Sequence, residues 1–313
     1  MPLFDAYVMV DWSGGDRRCA GRQDCIWIAF GLRIAKAPMT VSPPSRTEAE
    51  HVIRTQLQDL VTSKKQRVLV CADFGYGYPT GFASLLRKSV GEKAAPWRIV
   101  WRYLKEQIRD DIGTMPGARP SNRSNRFEVA SRINAGASTV TPGPFWCLYK
   151  AGSYDCVPQK RPLPAGSGNR VIPSLRITDQ RARSDTPFRL FGTGSVGSQV
   201  LTGIPRLANL RFHPEFAGCS AVWPFETGWA PMNGSWLARS VKIVHAEIYP
   251  SLRAPMNDTI KDRGQVRTMW HWACALDKKN SLLKEFALPS GIVAGSYEDN
   301  VIREEEGWIL GSR

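Results

Sequence analysis

The order of strand-like and helix-like segments predicts an α/β fold built on a mixed β-sheet. Residues 7–11 form a short, valine-rich apolar run that ends at an aspartate, and residues 25–32 form a second apolar run that can pair with it as a hairpin. A helical pattern over 45–62 separates this hairpin from a third apolar run over 67–73. An order of strand, strand, helix and strand predicts a sheet with both antiparallel and parallel neighbours.

The remaining regular segments support the same fold class. The helix over 45–62 has apolar residues at helical spacing, with Ser45 or Thr47 as its candidate N-cap. Residues 241–250 read as a further strand with a glutamate near its end, and 263–277 read as a helix. Helices on a sheet of this kind are expected to flank the strands.

We expect one domain over 1–313, with its core formed by 1–104 and 241–313. Strong periodicity is confined to these two parts, whereas 105–240 is rich in glycine, proline, serine and arginine. The middle part is therefore predicted to be a long, loop-rich insertion.

Positive charge is concentrated in the first three quarters of the chain. The formal net charge is +14, and residues 105–240 alone hold 17 basic and 9 acidic residues, whereas 241–313 is neutral. Arginine favours bidentate phosphate contacts, so a nucleic acid or another phosphorylated substrate is the expected partner. Arg119, Arg123 and Arg126 are the candidate contacts in the insertion, and the alternative is an arginine-rich surface with no such partner.

Several protein classes do not fit the composition. A hydrophobic content of 42% is enough for a core, and no apolar run reaches the length of a membrane span. The start of the chain lacks the order of charges and apolar residues of a signal peptide. Seven cysteines without a Cys-x-x-Cys pair argue against a disulfide framework, so we expect reduced thiols in a cytoplasm and no membrane association.

Acidic residues lie at the ends of three predicted strands. Asp11, Asp73 and Glu247 hold these positions, and Asp262 stands at the start of the following helix. Neighbouring strand ends lie close together, and carboxylates crowded there repel one another unless a cation neutralises them. Oxygen ligands favour Mg²⁺ or Mn²⁺, and four acids could form a two-metal site for phosphoryl chemistry. The alternative is that Asp11 and Asp73 are turn and cap residues.

Ordered segments along the chain resemble an uncharacterised, mainly bacterial family known as domain of unknown function 429. Its members are described as predicted nucleases of the ribonuclease-H-like fold. The three segments that carry the resemblance are DWSG (11–14), DFGYGYP (73–79) and EIYPS (247–251). Further similar segments are NRFE (125–128), GSVG (194–197), WPFE (223–226), DRGQV (262–266) and EGWILG (306–311).

The resemblance implies a ribonuclease-H-like mixed sheet in which Asp11 ends the first strand, Asp73 the fourth and Glu247 the fifth. Asp262 would open the last core helix. These four residues are the expected catalytic set of a metal-dependent nuclease, the first three as ligands of Mg²⁺ or Mn²⁺.

Two other functions remain open at this point. An ATP-dependent phosphotransferase of the actin and sugar-kinase type would share the core, with residues 11–15 cupping a phosphate and Ser13 contacting the substrate. A non-catalytic nucleic-acid-binding protein would share it as well, because a fold does not determine a function.

Overall fold

The computed structural model describes residues 2–90, 93–115, 117–137, 143–162, 171–229 and 240–312. The strands found there are β1 (Ala6–Asp11), β2 (Trp27–Leu32), β3 (Met39–Val41), β4 (Val68–Ala72), β5 (Ser220–Val222) and β6 (Ile243–Glu247). The α-helices are α1 (Arg46–Leu57), α2 (Phe82–Val90), α3 (Pro96–Gln107), α4 (Arg126–Ala137), α5 (Ile177–Ala182), α6 (Gly197–Arg211), α7 (Lys261–Lys278) and α8 (Tyr297–Val301). Shorter helical turns are the π-helical Gln58–Ser63 and Ile302–Glu306 and the 3₁₀ Pro250–Leu252 and Leu282–Phe286.

The strands form one six-stranded mixed sheet in the order β3-β2-β1-β4-β6-β5. β1 pairs with β2 as the expected antiparallel hairpin, and β2 pairs with β3 in the same way. β4 lies parallel to β1, β6 parallel to β4, and β5 parallel to β6. The prediction that the strands preceding Asp11 and Asp73 are parallel neighbours is therefore confirmed, as is the mixed α/β class.

Helices cover both faces of the sheet. Val8, Val10 and Val70 face one cluster of apolar side chains, which also contains residues of α1, α3 and α6. Tyr7 and Met9 alternate with them and face a second cluster built on α7. Burial on both faces explains why the central strands are continuous apolar runs rather than alternating ones.

The helix over 45–62 begins where the sequence predicts but changes geometry halfway. Ser45 is its N-cap, because its Oγ accepts a hydrogen bond from Glu48 N at 3.2 Å. The α-helical part ends at Leu57, and the predicted remainder is the π-helical turn Gln58–Ser63.

The expectation that 105–240 lies outside the core is wrong in two places. Helix α6 is almost wholly buried against the sheet, and β5 forms one edge of the sheet itself. Gly203 within α6 lies against the ring of Phe74, where an added Cβ would come within 2.6 Å of a ring carbon. The middle of the chain thus contributes both helix and strand to the core, although described stretches of it are loops, as expected.

Within the described chain, no helix has the length and apolar character needed to cross a membrane. The expectation of seven reduced thiols is wrong for one pair, because Cys19 and Cys25 form a disulfide while the other five cysteines are free. Six positions separate the two in the loop between β1 and β2, a spacing that carries no disulfide signal in a sequence.

Candidate functional site

Asp11 and Asp73 lie side by side at the carboxyl edge of the sheet. Asp11 is the last residue of β1, and Asp73 follows β4 directly. The register pairs Val10 with Ala72, so the two aspartates continue adjacent parallel strands about 4.8 Å apart. Trp12 N donates a hydrogen bond of 2.6 Å to Asp73 Oδ1 and so links the two strand ends.

Asp262 lies near this pair and belongs to α7, the helix that packs on the sheet face of Tyr7 and Met9. Helix α7 begins at Lys261, two residues earlier than the sequence predicts, so Asp262 lies in its first turn. There a carboxylate interacts favourably with the positive end of the helix dipole. Asp24 N donates to Asp262 Oδ2 at 2.6 Å, which fixes one of its two oxygens. Asp11, Asp73 and Asp262 are called the acid cluster below.

The acid cluster carries more negative charge than the nearby cations among the described residues neutralise. Asp11 is 8% exposed, and no hydrogen bond reaches its carboxylate from the described residues. Burial, then the charges of Asp73 and Asp262, raise the pKa of Asp11 well above its usual value. Burial likewise raises the pKa of Asp73 to about 7, although some of its surface is accessible and Trp12 N lowers the pKa. The exposed Lys261 acts in the opposite direction on the pKa of Asp11.

Glu247 lies at the same edge but has a cation of its own. The register places it beside Ala72, and its Oε1 and Oε2 accept hydrogen bonds of 2.6 and 2.7 Å from the guanidinium of Arg176. Tyr76 N adds a third hydrogen bond of 2.9 Å to Oε2. Burial raises the pKa of Glu247, and Arg176 opposes that rise. The prediction that Glu247 binds a metal stays a prediction, but Arg176 now competes for the same oxygens.

Arg176 serves two carboxylates at once. Its Nε and Nη2 also donate to Asp179 at 2.9 and 2.7 Å, and its Nη1 donates to the carbonyl oxygen of Glu306. Burial alone would lower the pKa of Arg176, but the charges of Asp179 and Glu247 outweigh it and raise that pKa well above its usual value. Arg176, Asp179 and Glu247 are called the arginine network below.

The turn after β4 is held against the carboxyl-terminal part of the chain. Glu306 accepts hydrogen bonds from Thr80 N at 2.9 Å and from Ile177 N at 2.7 Å. Gly77 approaches so closely that an added Cβ would lie 2.2 Å from the carbonyl oxygen of Glu305. This contact requires glycine and positions the turn that follows Asp73.

Ser13 lies in the loop between β1 and β2, which leaves the acid cluster directly. Its Oγ donates to the carbonyl oxygen of Asp24 at 3.0 Å and accepts a weaker hydrogen bond from Gly15 N. The buried guanidinium of Arg46 donates to the carbonyl oxygens of Ser13 and Gly15 at 3.1 and 2.9 Å. Arg46 therefore anchors the loop, and Ser13 lies half-buried near the start of the loop.

The three predicted substrate-binding arginines have different environments. Arg119 and Arg123 are exposed on the loop between α3 and α4. Arg126 is 4% exposed, and its guanidinium is engaged by Ser198 Oγ, Ser124 Oγ and the carboxylate of Asp16. The prediction that Arg126 contacts a substrate phosphate stays a prediction, but its Nε and Nη1 already hold α4, α6 and the β1–β2 loop together.

The acid cluster fits a hard divalent cation by its chemistry, although its side chains are not arranged as a finished ligand set. Among the described residues, no group of three or more His, Cys, Asp or Glu is already placed to hold a metal ion. The donors offered by the cluster are carboxylate oxygens, which Mg²⁺ and Mn²⁺ prefer. The negative charges of Asp11, Asp73 and Asp262 repel one another, and such a cation would neutralise them.

Two residues important to this site carry no signal in the sequence. Arg176 lies in an irregular segment, and only the fold shows that it is buried beside Glu247. Asp24 acts through its backbone amide, which no residue pattern can reveal.

Comparisons of the chain with protein families, with curated proteins and with solved structures find no match.

Proposed function

We propose that this protein is a divalent-metal-dependent hydrolase of phosphodiester bonds, with Mg²⁺ or Mn²⁺ bound by the acid cluster. One observation carries the proposal: three aspartates from two strand ends and a helix meet at one sheet edge, and the buried Asp11 has no hydrogen-bond donor among the described residues. A buried carboxylate is costly unless it is paired or binds a metal. Perturbed acids of this kind are typical of catalytic sites.

The sheet supports a ribonuclease-H-like assignment as part of the proposal. The first three strands form an antiparallel meander, and the fourth adds to the first in parallel. Acids follow the first and fourth strands, and Asp262 opens the helix that packs on β1 and β2. The positions of Asp11, Asp73 and Asp262 agree with what the resemblance implies, whereas Glu247 ends the sixth strand along the chain rather than the fifth.

The chain's own residues would bind and orient the metal. Asp11, Asp73 and Asp262 supply the oxygens, while Trp12 N and Asp24 N hold two of these carboxylates in place. Such outer hydrogen bonds fix the ligands of a metal site. A bound divalent metal polarises a phosphoryl oxygen and lowers the pKa of a coordinated water. Glu247 would line the side of the site away from Asp11. It would not be a primary metal ligand, because Arg176 already donates to both of its carboxylate oxygens.

The substrate class that fits is a nucleic acid or another phosphorylated molecule. Lys261 is exposed beside the acid cluster, and Arg119 and Arg123 are exposed on the loop between α3 and α4. This loop is joined to the loop that leaves the cluster, because Arg18 Nη1 donates to the carbonyl oxygen of Pro120 and Asn122 Nδ2 to that of Arg17. Cations on these joined loops can contact phosphates near the metal.

The experiment that tests the proposal is hydrolysis of bis(p-nitrophenyl) phosphate and of end-labelled oligonucleotides, with Mg²⁺, Mn²⁺ or EDTA. We expect metal-dependent cleavage that Asp11→Asn abolishes, because the amide keeps the shape of the side chain and removes its charge. The matched control is Asp59→Asn, since Asp59 is exposed and, among the described residues, pairs only with Lys64, so this variant should stay active.

Two outcomes would contradict the proposal. Cleavage that EDTA leaves unchanged would rule out a metal requirement. Full activity of Asp11→Asn would rule out the acid cluster as the active site. Metal-dependent phosphate transfer from ATP without hydrolysis of either substrate would favour the phosphotransferase instead.

A further inference from the structure

The loop between β1 and β2 contains a closed ring of residues. Cys19 and Cys25 have their Cα atoms 5.6 Å apart, which is within the usual range for a disulfide, and their sulfurs are bonded. Cys25 is buried and Cys19 is partly accessible. The bond therefore closes residues 19–25 into a ring in which Cys19 is the less buried of the two cysteines.

Asp24 is the member of this ring that contacts the acid cluster. Its amide donates to Asp262 Oδ2 at 2.6 Å, and its carbonyl oxygen accepts from Ser13 Oγ at 3.0 Å. Its φ angle is 62°, in the left-handed region that aspartate adopts more readily than most residues other than glycine. The ring thus contains the peptide unit that lies between the cluster and Ser13.

We propose that the Cys19–Cys25 bond is a redox-sensitive clamp on the acid cluster. In the oxidised protein the ring holds the Asp24 amide against Asp262, and reduction releases it. The part of the proposal that concerns metal affinity rests on the proposed function, whereas the release of the loop does not.

Few other contacts hold this ring in place. The carbonyl oxygen of Pro44 accepts from Cys19 N at 3.1 Å, Ser42 Oγ accepts from Gly21 N at 2.9 Å, and the carbonyl oxygen of Arg22 accepts from Trp27 Nε1 at 3.0 Å. Residues 20–24 are all exposed, so packing contributes little to their order. Since local order here depends on few buried contacts, opening the ring is expected to increase the mobility of this segment first.

The chemical step is a thiol–disulfide exchange with a dithiol reductant. A thiolate of the dithiol attacks Sγ of Cys19, the less buried cysteine, and the bond to Cys25 breaks. Cys25 leaves as a thiolate and takes up a proton. The second thiol of the reductant then releases Cys19, so the dithiol becomes a disulfide and its two electrons reduce the protein to two thiols.

Hydrogen exchange read by mass spectrometry tests the clamp in the metal-free protein. We expect faster exchange in peptides covering 12–26 after dithiothreitol treatment, with little change in β4 or β6. The variant Cys19→Ser/Cys25→Ser should exchange at the fast rate with or without reductant. Cys219→Ser removes a free, partly buried cysteine and is the matched control, which should respond like the wild type.

A Mn²⁺ titration followed by electron paramagnetic resonance tests the link to the acid cluster. We expect affinity to fall about tenfold on reduction, the loss typical when an outer hydrogen bond to a metal ligand is removed. Cys19→Ser/Cys25→Ser should bind Mn²⁺ weakly in both conditions, and Cys219→Ser should follow the wild type.

The possible results separate the two proposals. Free Cys19 and Cys25 in air-oxidised protein, or unchanged exchange over 12–26, would overturn the clamp. Faster exchange with an unchanged Mn²⁺ affinity would overturn its coupling to the acid cluster. Absence of Mn²⁺ binding in the oxidised protein would overturn the proposed metal site, and the exchange data alone would then decide on the clamp.

Discussion

The acid cluster and the arginine network occupy the same edge of the sheet and treat buried carboxylates in opposite ways. Glu247 receives three hydrogen bonds, two of them from a buried guanidinium. Asp11 receives none from the described residues, and the charges that act on it are those of three other acids and of the exposed Lys261. Asp11 and Glu247 lie at the ends of β1 and β6, and Asp73 follows β4, the strand between them.

This difference separates the acids that are paired within the fold from those that are not. A buried ion pair with complete hydrogen bonding holds its elements in register, and removing one partner leaves an uncompensated charge. An unpaired carboxylate group lowers the stability of the fold, so its presence calls for a ligand. The arginine network is therefore internally paired, and cation binding by the acid cluster is the proposal that the following experiments test.

The largest effect should come from breaking the arginine network. Arg176→Met leaves Glu247 and Asp179 buried without their cation, so we expect the free energy of unfolding to fall by about 3–5 kcal/mol. Urea unfolding of the metal-free protein measures it. The control Arg98→Met removes an arginine that is half exposed and pairs with Glu226, and should cost about 0–1 kcal/mol. Equal losses in the two variants would contradict the structural role of Arg176.

The second effect concerns the pH dependence of stability. It is opposite to that of a paired carboxylate, whose pKa is lowered in the folded state. The folded protein raises the pKa of Asp73 from 3.8 to about 7 and that of Asp11 as well, so the folded state keeps protons that the unfolded state releases. Their contribution to stability is present at low pH and is lost as the pH rises to about 7.

The variant Asp11→Asn isolates this contribution. In EDTA its free energy of unfolding should exceed that of the wild type at about pH 8 and approach or fall below it at about pH 4, a change on the order of 1–2 kcal/mol. Urea unfolding of both proteins at the two pH values measures this change. A difference that does not vary with pH would show that Asp11 is not crowded by neighbouring charges.

The smallest effect concerns substrate binding by exposed arginines. Arg119→Gln/Arg123→Gln should reduce the slope of log affinity against log salt by about 0.7–0.9 for each phosphate that the variant no longer neutralises. Fluorescence anisotropy of a labelled oligonucleotide with Asp11→Asn protein measures it without cleavage. Lys279→Gln/Lys284→Gln removes two exposed charges near the far end of α7 and is the matched control. Equal slopes in the two variants would place the binding surface elsewhere.

The sequence predicts the centre of the sheet well because its strands are buried on both faces. The segments of β1, β2 and β4 are nearly continuous apolar runs, and the parallel neighbours β1 and β4 bring Asp11 and Asp73 together as expected. Tertiary packing decides the elements that were missed. Strand β5 has three residues, and α6 contains a glycine and a proline that sequence propensity disfavours.

The site is harder to predict than the sheet, because its acids are visible in a sequence and their partners are not. Whether Arg176 or Arg126 contacts a carboxylate or a solvent phosphate depends on burial, which short-range patterns do not encode. The Asp24 amide and the Cys19–Cys25 bond depend on the path of one loop. The residue types at this edge are therefore predictable, whereas the division between structural and unpaired acids requires the fold.

Thermal unfolding with and without Mn²⁺, in wild type, Asp11→Asn and the control Asp59→Asn, tests the central assignment most directly and requires no substrate. At neutral pH without metal, Asp11→Asn should melt slightly above the wild type, because one repelling charge is gone. Mn²⁺ at about a hundred times its dissociation constant should stabilise wild type and Asp59→Asn by about 2.7 kcal/mol, and Asp11→Asn by much less. If Asp11 is only a turn or cap residue, Asp11→Asn will melt below the wild type and none of the proteins will respond to Mn²⁺, which would contradict a metal site at the acid cluster.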